Sequence, residues 1–172
     1  VNTGVPSGLD LNHNGQTNDA NDAWGYGAFP GQYGMAVLSR FPIDRQAVRT
    51  WRNFRWSHLP GVKQPVSADG TPYYSPSTWA ELRLPSKSLW SVPIQTPLGE
   101  LHVIASHPTP PAFDGPEDRN GLRNRDEIRL LELLIDDDRR LIDDNGQAGG
   151  LAATSSFVIL GDLNSDPSDG GS

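Results

Sequence analysis

The chain has 172 residues, no cysteine, a formal net charge of −7 and a pI near 4.9. That length suits one domain with a real core, the lack of cysteine excludes disulfides and thiolate metal sites, and an acidic surface argues against a broad, sequence-independent grip on a phosphate backbone. Hydrophobic residues make up 35%, while Gly (18) and Pro (15) are plentiful, and five Trp, five Phe and four Tyr must pack somewhere; this describes a loop-rich domain rather than a helical bundle or a disordered chain. No apolar run approaches the length of a membrane span.

Residues 1–32 are polar and rich in Gly and Asn, and are expected to be irregular. Within them, Asp10, Asn12 and Asn14 alternate, Gly15 follows, and Gln16 offers a backbone carbonyl. This matches the first half of an EF-hand-type calcium loop. Asn21 stands where the bidentate Glu belongs, Asp22 follows one place later, and no helices flank the stretch. Two readings stand: a bare calcium loop using Asp10, Asn12, Asn14, Gln16 and Asp22, or an Asn/Asp/Gly surface loop that needs no metal.

Residues 34–39 read as a buried strand that exits through Arg40-Phe41-Pro42-Ile43, and residues 46–51 as another. Residues 52–77, rich in Pro and aromatics, read as a long loop packed by its own side chains; His58 within it reads as a packing or surface residue. Thr78 to Leu84 alternates, which predicts a strand with Ala80, Leu82 and Leu84 on one face. Ser86-Lys87-Ser88 brings hydroxyls and a cation to a strand end, as a phosphate cradle or, more simply, a turn. Ser91–Ile94 and Leu101–Ala105 flank Thr96-Pro97-Leu98-Gly99-Glu100, a hairpin pattern. The second of these strands delivers Ser106-His107, and the following prolines force the chain out of the sheet.

Residues 112–123 form a charged loop. In it Arg119 and Arg123 are candidate phosphate ligands by their bidentate geometry, against a reading in which the loop balances its own charges. Asn124 with Glu127 has capping-box spacing, opening a helix with an apolar stripe through Ile128, Leu131, Ile135 and Ile142, widened by Leu130, Leu134 and Leu141, and ending at Asn145-Gly146. Asp136 to Arg140 read as its solvated face. After a Gly/Ala/Ser linker over 146–156, Phe157–Leu160 read as a buried central strand ending in Gly161. Asp162 and Asn164 then share a face. At a strand end in an α/β fold that pair is a candidate ligand site; the plainer reading is an Asx turn, with Asp166-Pro167 as the next turn.

Three strand ends, Ser39 to Ile43, Ser106-His107-Pro108 and Gly161-Asp162-Leu163-Asn164, with a helix between the last two, resemble the endonuclease/exonuclease/phosphatase superfamily, the pancreatic-deoxyribonuclease-like metal-dependent phosphoesterases. The resemblance spans roughly residues 32 to 167. Leu82–Trp90, Ser106–Pro111 and Phe113–Gly121 look like a bacterial, exported subgroup. Pro108 replaces the Leu that usually follows the catalytic His. The resemblance implies an α/β fold, a four-layer α/β/β/α sandwich incomplete at both ends, in one partial domain over 1–172 with residues 33–167 as the matching core. It implies that His107 donates to the scissile phosphate, Asp162 orients or deprotonates water, and Asn164 donates its amide to a phosphoryl oxygen, with Mg or Mn as cofactor; a structural Ca is a further expectation, from the 10–22 loop pattern and not from the resemblance. It also calls for a metal-binding Asn and Glu from strands upstream and an Asp-His pair downstream; Asn2 and Asp10, the nearest candidates, lack strand-like contexts. The chain is therefore expected to be an inactive internal piece of a secreted or periplasmic phosphoesterase acting on a small or lipid-like phosphorylated substrate rather than duplex nucleic acid. The competing expectation is an exported calcium-binding or interaction module that keeps the fold without catalysis.

Overall fold

The Pro97-Leu98 turn joins the two longest strands, β2 (Leu89–Thr96) and β3 (Gly99–Ser106), in the expected hairpin, with Thr96 opposite Gly99. A short strand β1 (Arg49–Thr50) pairs antiparallel with β2, and β4 (Ser156–Leu160) pairs parallel with β3, giving a four-stranded sheet in the order β1-β2-β3-β4. Two helices accompany it, α1 (Pro76–Glu81) and α2 (Arg119–Ile135). The architecture is mixed α/β. The structure, a computed structural model, describes residues 1–166 and 168; the Pro167 half of the expected Asp166-Pro167 turn lies outside them.

Side-chain alternation sorts the sheet into two faces. Leu89, Ile104 and Ile159 join Leu130, Leu131 and Leu134 of α2 in the main core, with Trp51, Trp56 and Leu84. Val92, Ile94 and Val103 form a smaller cluster on the other face, packed by Val37, Ile43, Val48 and Val158. The β3-α2-β4 connection is the long crossover that a parallel pair requires.

Several expectations change. Residues 34–39 pair with no strand, and Leu38 is 95% exposed; only the Ile43–Ile94 bridge and the Asp44 and Gln95 amides tie the segment's exit to β2. Of 46–51, only Arg49–Thr50 pairs. The predicted strand at 78–84 is instead helix α1 followed by an extended run. Ser75 accepts the Thr78 N–H as N-cap and Pro76 occupies the first turn, and this local capping overrides the alternation. Leu82 and Leu84 are buried as expected, but Ala80 is exposed.

Helix α2 starts five residues before Asn124, at Arg119 after Asp118 in the left-handed region. Asn124 and Glu127 are therefore not caps. One turn apart on the helix, both face inward and are buried. The helix also stops early, at Ile135. Leu141 is buried from the following turn, while Ile142 is half-exposed in a bridge to Ala148. Arg49 holds this turn by an ion pair with Asp143 at 2.7 Å and bonds to the Gln147, Gly149 and Gly150 carbonyls. Finally, β4 is an edge strand among the described residues, with Leu160 52% exposed. An apolar run alone cannot separate a central strand from an edge one.

Candidate active site

The parallel pairing of β3 and β4 brings two strand exits side by side. Ala105 stands opposite Leu160, so Ser106-His107 and Gly161-Asp162 leave the sheet together. Gly161 makes this approach possible. It has φ +148°, and a Cβ there would lie 1.8 Å from the Ser106 carbonyl oxygen. Beyond it, Asn164 adopts φ 49° and donates its backbone N–H to Asp162 Oδ1 at 2.9 Å, so the Asx turn exists. The turn also aims Asn164, whose Nδ2 donates to the Pro108 carbonyl at 3.1 Å. Lys87 Nζ, from the segment entering β2, donates to the same carbonyl at 3.2 Å. Lys87, the chain next to His107, and Asn164 therefore meet at one point.

Helix α2 fastens these segments from beneath. The Glu127 carboxylate accepts the Ser86 N–H at 2.6 Å, the Ser86 hydroxyl at 3.1 Å and the Thr109 N–H at 2.6 Å. Asn124 Nδ2 donates to the Thr109 carbonyl at 2.8 Å and the Leu163 carbonyl at 3.0 Å. Two side chains on one helical face thus bind the three segments that carry Lys87, His107 and Asn164. Gly25 adds a fourth, since a Cβ there would stand 1.8 Å from the Ser86 carbonyl oxygen.

Burial lowers the pKa of His107, the Lys87 cation lowers it further, and Asp162 opposes both. The imidazole is therefore neutral at pH 7. Lys87 is only 5% exposed; burial lowers its pKa, Arg123 adds to the shift, and Glu127 and Asp162 resist it. A desolvated cation beside a neutral imidazole is an anion seat with few competing waters.

A cleft of about 600 Å³ opens over Lys87 and His107. Arg119 and Arg123 also line it. Arg119 pairs with Glu117 and lies 5.7 Å from the Tyr73 ring centre. Arg123 donates to the Leu84 carbonyl at 2.9 Å, to Trp24 at 2.6 Å and to Arg83 at 2.8 Å, and so holds loops around the cleft. Of the other histidines, His13 stacks on Tyr73, His58 sits in a short 3-10 turn (Trp56–His58), and His102 bonds Ser91 and Glu100 in mid-strand.

The 10–22 loop lies partly at the mouth of this cleft, through Asn12 and Asn21. Its polar groups serve the loop itself. Asp10 accepts the Asn14 and Gly15 N–H groups, Asn12 accepts that of Asn14, and Asn14 accepts that of Gln16. Gln16 enters this ladder through its backbone. Asp22, fully buried, accepts the Leu11 and Asp19 N–H groups. Asp19 collects the Asn12 and Asn14 amides.

Sequence reasoning missed Glu127 and Asn124 as site builders, and it left Lys87 between a phosphate cradle and a turn. The signal for the first two was their one-turn spacing on an apolar helix. Asn2 was also underread. It is buried, its Nδ2 donates to the Arg52 and Pro85 carbonyls, both at 2.7 Å, and its N–H pairs with the Lys87 carbonyl at 2.8 Å.

A divalent ion needs several convergent oxygen or nitrogen ligands. Among the described residues no three His, Asp or Glu side chains converge in that way, so Asp162 alone does not fit a metal centre. Compared with known proteins, a model of the Endonuclease/Exonuclease/phosphatase family matches residues 3–172. No curated protein and no solved structure gives a match. The chain belongs to the endonuclease/exonuclease/phosphatase family, whose members hydrolyse phosphoester bonds and generally depend on divalent metal.

Proposed function

We propose that the exits of β3 and β4 form the phosphoryl-binding part of a phosphoester hydrolase site. The observation that carries this reading is the meeting of Lys87, Asn164 and the His107 segment at the Pro108 carbonyl, beside Asp162. Lys87 supplies charge against the phosphoryl oxygens in a desolvated setting. His107, neutral at pH 7, donates one N–H to the scissile group. Asn164 holds Pro108 with one amide hydrogen and offers the other to a phosphoryl oxygen. Asp162 holds its turn with one carboxylate oxygen and orients water with the second.

The cleft takes a small or lipid-like phosphorylated substrate rather than a duplex, supported by the net charge of −7 and the cleft size. The 172 residues alone are inactive, supported by the lone Asp162. A second sheet completes a four-layer sandwich over the Val92 face, supported by the exposure of Leu160 there. An exported location rests on the subgroup resemblance alone. The alternative module without catalysis has no observation in its favour beyond the 10–22 loop.

The test is hydrolysis of a phosphomonoester and a phosphodiester with added Mg, on these 172 residues and on the protein as its gene encodes it. The expected result is no turnover by the first. In the second, His107→Ala and Asp162→Ala each lower kcat/KM on the order of a hundredfold or more. Unchanged rates in both variants would remove the assignment.

A further inference from the structure

We propose that Tyr26, Tyr33 and Phe113 form a specificity wall that seats a planar ring system carried by the substrate; the seating of its phosphate rests on the hydrolase reading above. A phosphoryl group meets Lys87 and His107 at one part of the cleft. The remaining volume, within about 600 Å³, is of the size that holds an organic ligand. The three aromatic side chains line that same cleft, at 56%, 54% and 89% exposure. Tyr26 and Tyr33 are stacked, with ring centres 6.3 Å apart and planes 27° from parallel. Phe113 has φ +67°, a backbone state that a bulky residue rarely adopts. That conformation leaves its ring almost wholly exposed rather than tucked into the core.

The chemistry of the lining selects rings over chains. Flat, quadrupolar faces favour another π-face, and Asn21 and Asn120 place carboxamides in the cleft, suited to the polar edge of a heteroaromatic ring. An alkyl chain would strand those amides against hydrocarbon, which narrows the small or lipid-like substrate proposed above to a small, ring-bearing one. The other strongly exposed apolar residues, such as Leu38, Leu98 and Leu160, do not line this cleft. The shared chemistry is a planar aromatic group, whether a nucleobase or a simple aryl ring.

Equilibrium binding to this chain, by calorimetry or NMR, separates the possibilities. The probes are adenosine monophosphate, adenosine, phenyl phosphate, glycerol phosphate and octyl phosphate. The variants are Tyr26→Ala with Tyr33→Ala, Phe113→Ala, and Lys87→Met. The aromatic variants are expected to weaken adenosine monophosphate and adenosine roughly tenfold, as loss of one stacking partner does, and to leave glycerol phosphate unchanged. Parallel weakening of phenyl phosphate assigns the wall to any aryl ring; weakening of the adenosine probes alone assigns it to a nucleobase. The inference is overturned if these variants leave every ring-bearing probe within about twofold of wild type, if octyl phosphate loses as much as adenosine monophosphate, or if no ring-bearing probe binds. Lys87→Met reports on the other reading. Loss of the phosphorylated probes with adenosine retained supports the phosphate seat; if it spares them all, that reading fails while the ring wall still stands on adenosine.

Discussion

The 10–22 loop and the strand-end site both gather carboxylates and carboxamides, and they are wired in opposite ways. In the loop each hydrogen-bonded carboxylate or carboxamide serves a backbone amide or a side chain at most eleven positions away, as Asp22 does for Leu11. At the strand ends Glu127 reaches Ser86, 41 positions away, and Asn164 reaches Pro108, 56 positions away. Locally closed polar groups stabilise a turn and ask nothing of the rest of the fold. Long-range ones hold separate elements at a common point, which a reactive site requires. The same contrast explains why the Asp162-Asn164 turn is more than a turn: its backbone bond is local, but its amide reaches across to another strand exit.

The sharpest break in this contrast comes from Glu127→Ala. It leaves the buried Ser86 and Thr109 N–H groups without an acceptor, each costing about 1–3 kcal/mol, and leaves the Ser86 hydroxyl only a 3.5 Å contact with the His107 carbonyl. A stability loss on the order of 4 kcal/mol is expected from the denaturant midpoint. Gly161→Ala comes next. Its Cβ would meet the Ser106 carbonyl oxygen, so a loss of about 2 kcal/mol is expected together with altered His107 and Asp162 resonances. By contrast, Asp10→Asn in the loop is expected to cost within about 1 kcal/mol and to leave those resonances in place. A larger effect would mean that the loop is coupled to the site.

Between these in subtlety lies the titration of His107. Its midpoint is expected below the usual histidine value. Lys87→Met should raise it and Asp162→Asn should lower it further, because these groups act with opposite sign. Since the folded imidazole resists protonation, the unfolded chain takes up the proton first. Stability therefore falls as pH drops below about 6.5, until the folded group protonates too. His107→Gln should flatten that part of the stability profile measured by thermal melts.

Local chemistry made part of this fold readable. The Pro97-Leu98 hairpin, the last strand and the exits of β3 and β4 follow from alternation and turn residues, and residues 1–32 are loop-rich as their composition suggests. The failures share one cause: a local pattern admits two structures that only distant contacts separate. Thr78 to Leu84 alternates like a strand, but Ser75-Pro76 caps a helix. Asn124 and Glu127 have the spacing of a capping box, and the same spacing aims both into the core once the helix starts at Arg119. Lys87 looks like a turn residue until Pro108 arrives from 21 positions away. The strand-end positions of His107, Asp162 and Asn164 were legible, because strand ends mark themselves with Gly and Pro. The residues that hold it together were hidden, because their partners lie on other elements.

The central claim is that the exits of β3 and β4 seat a phosphoryl group. Titrating inorganic phosphate into the chain while following amide and side-chain NMR signals tests it most directly. Saturable shifts at His107, Lys87 and Asn164, lost in Lys87→Met and absent over 10–22, are the predicted result. Shifts confined to other surfaces, or none at the strand ends, would contradict it.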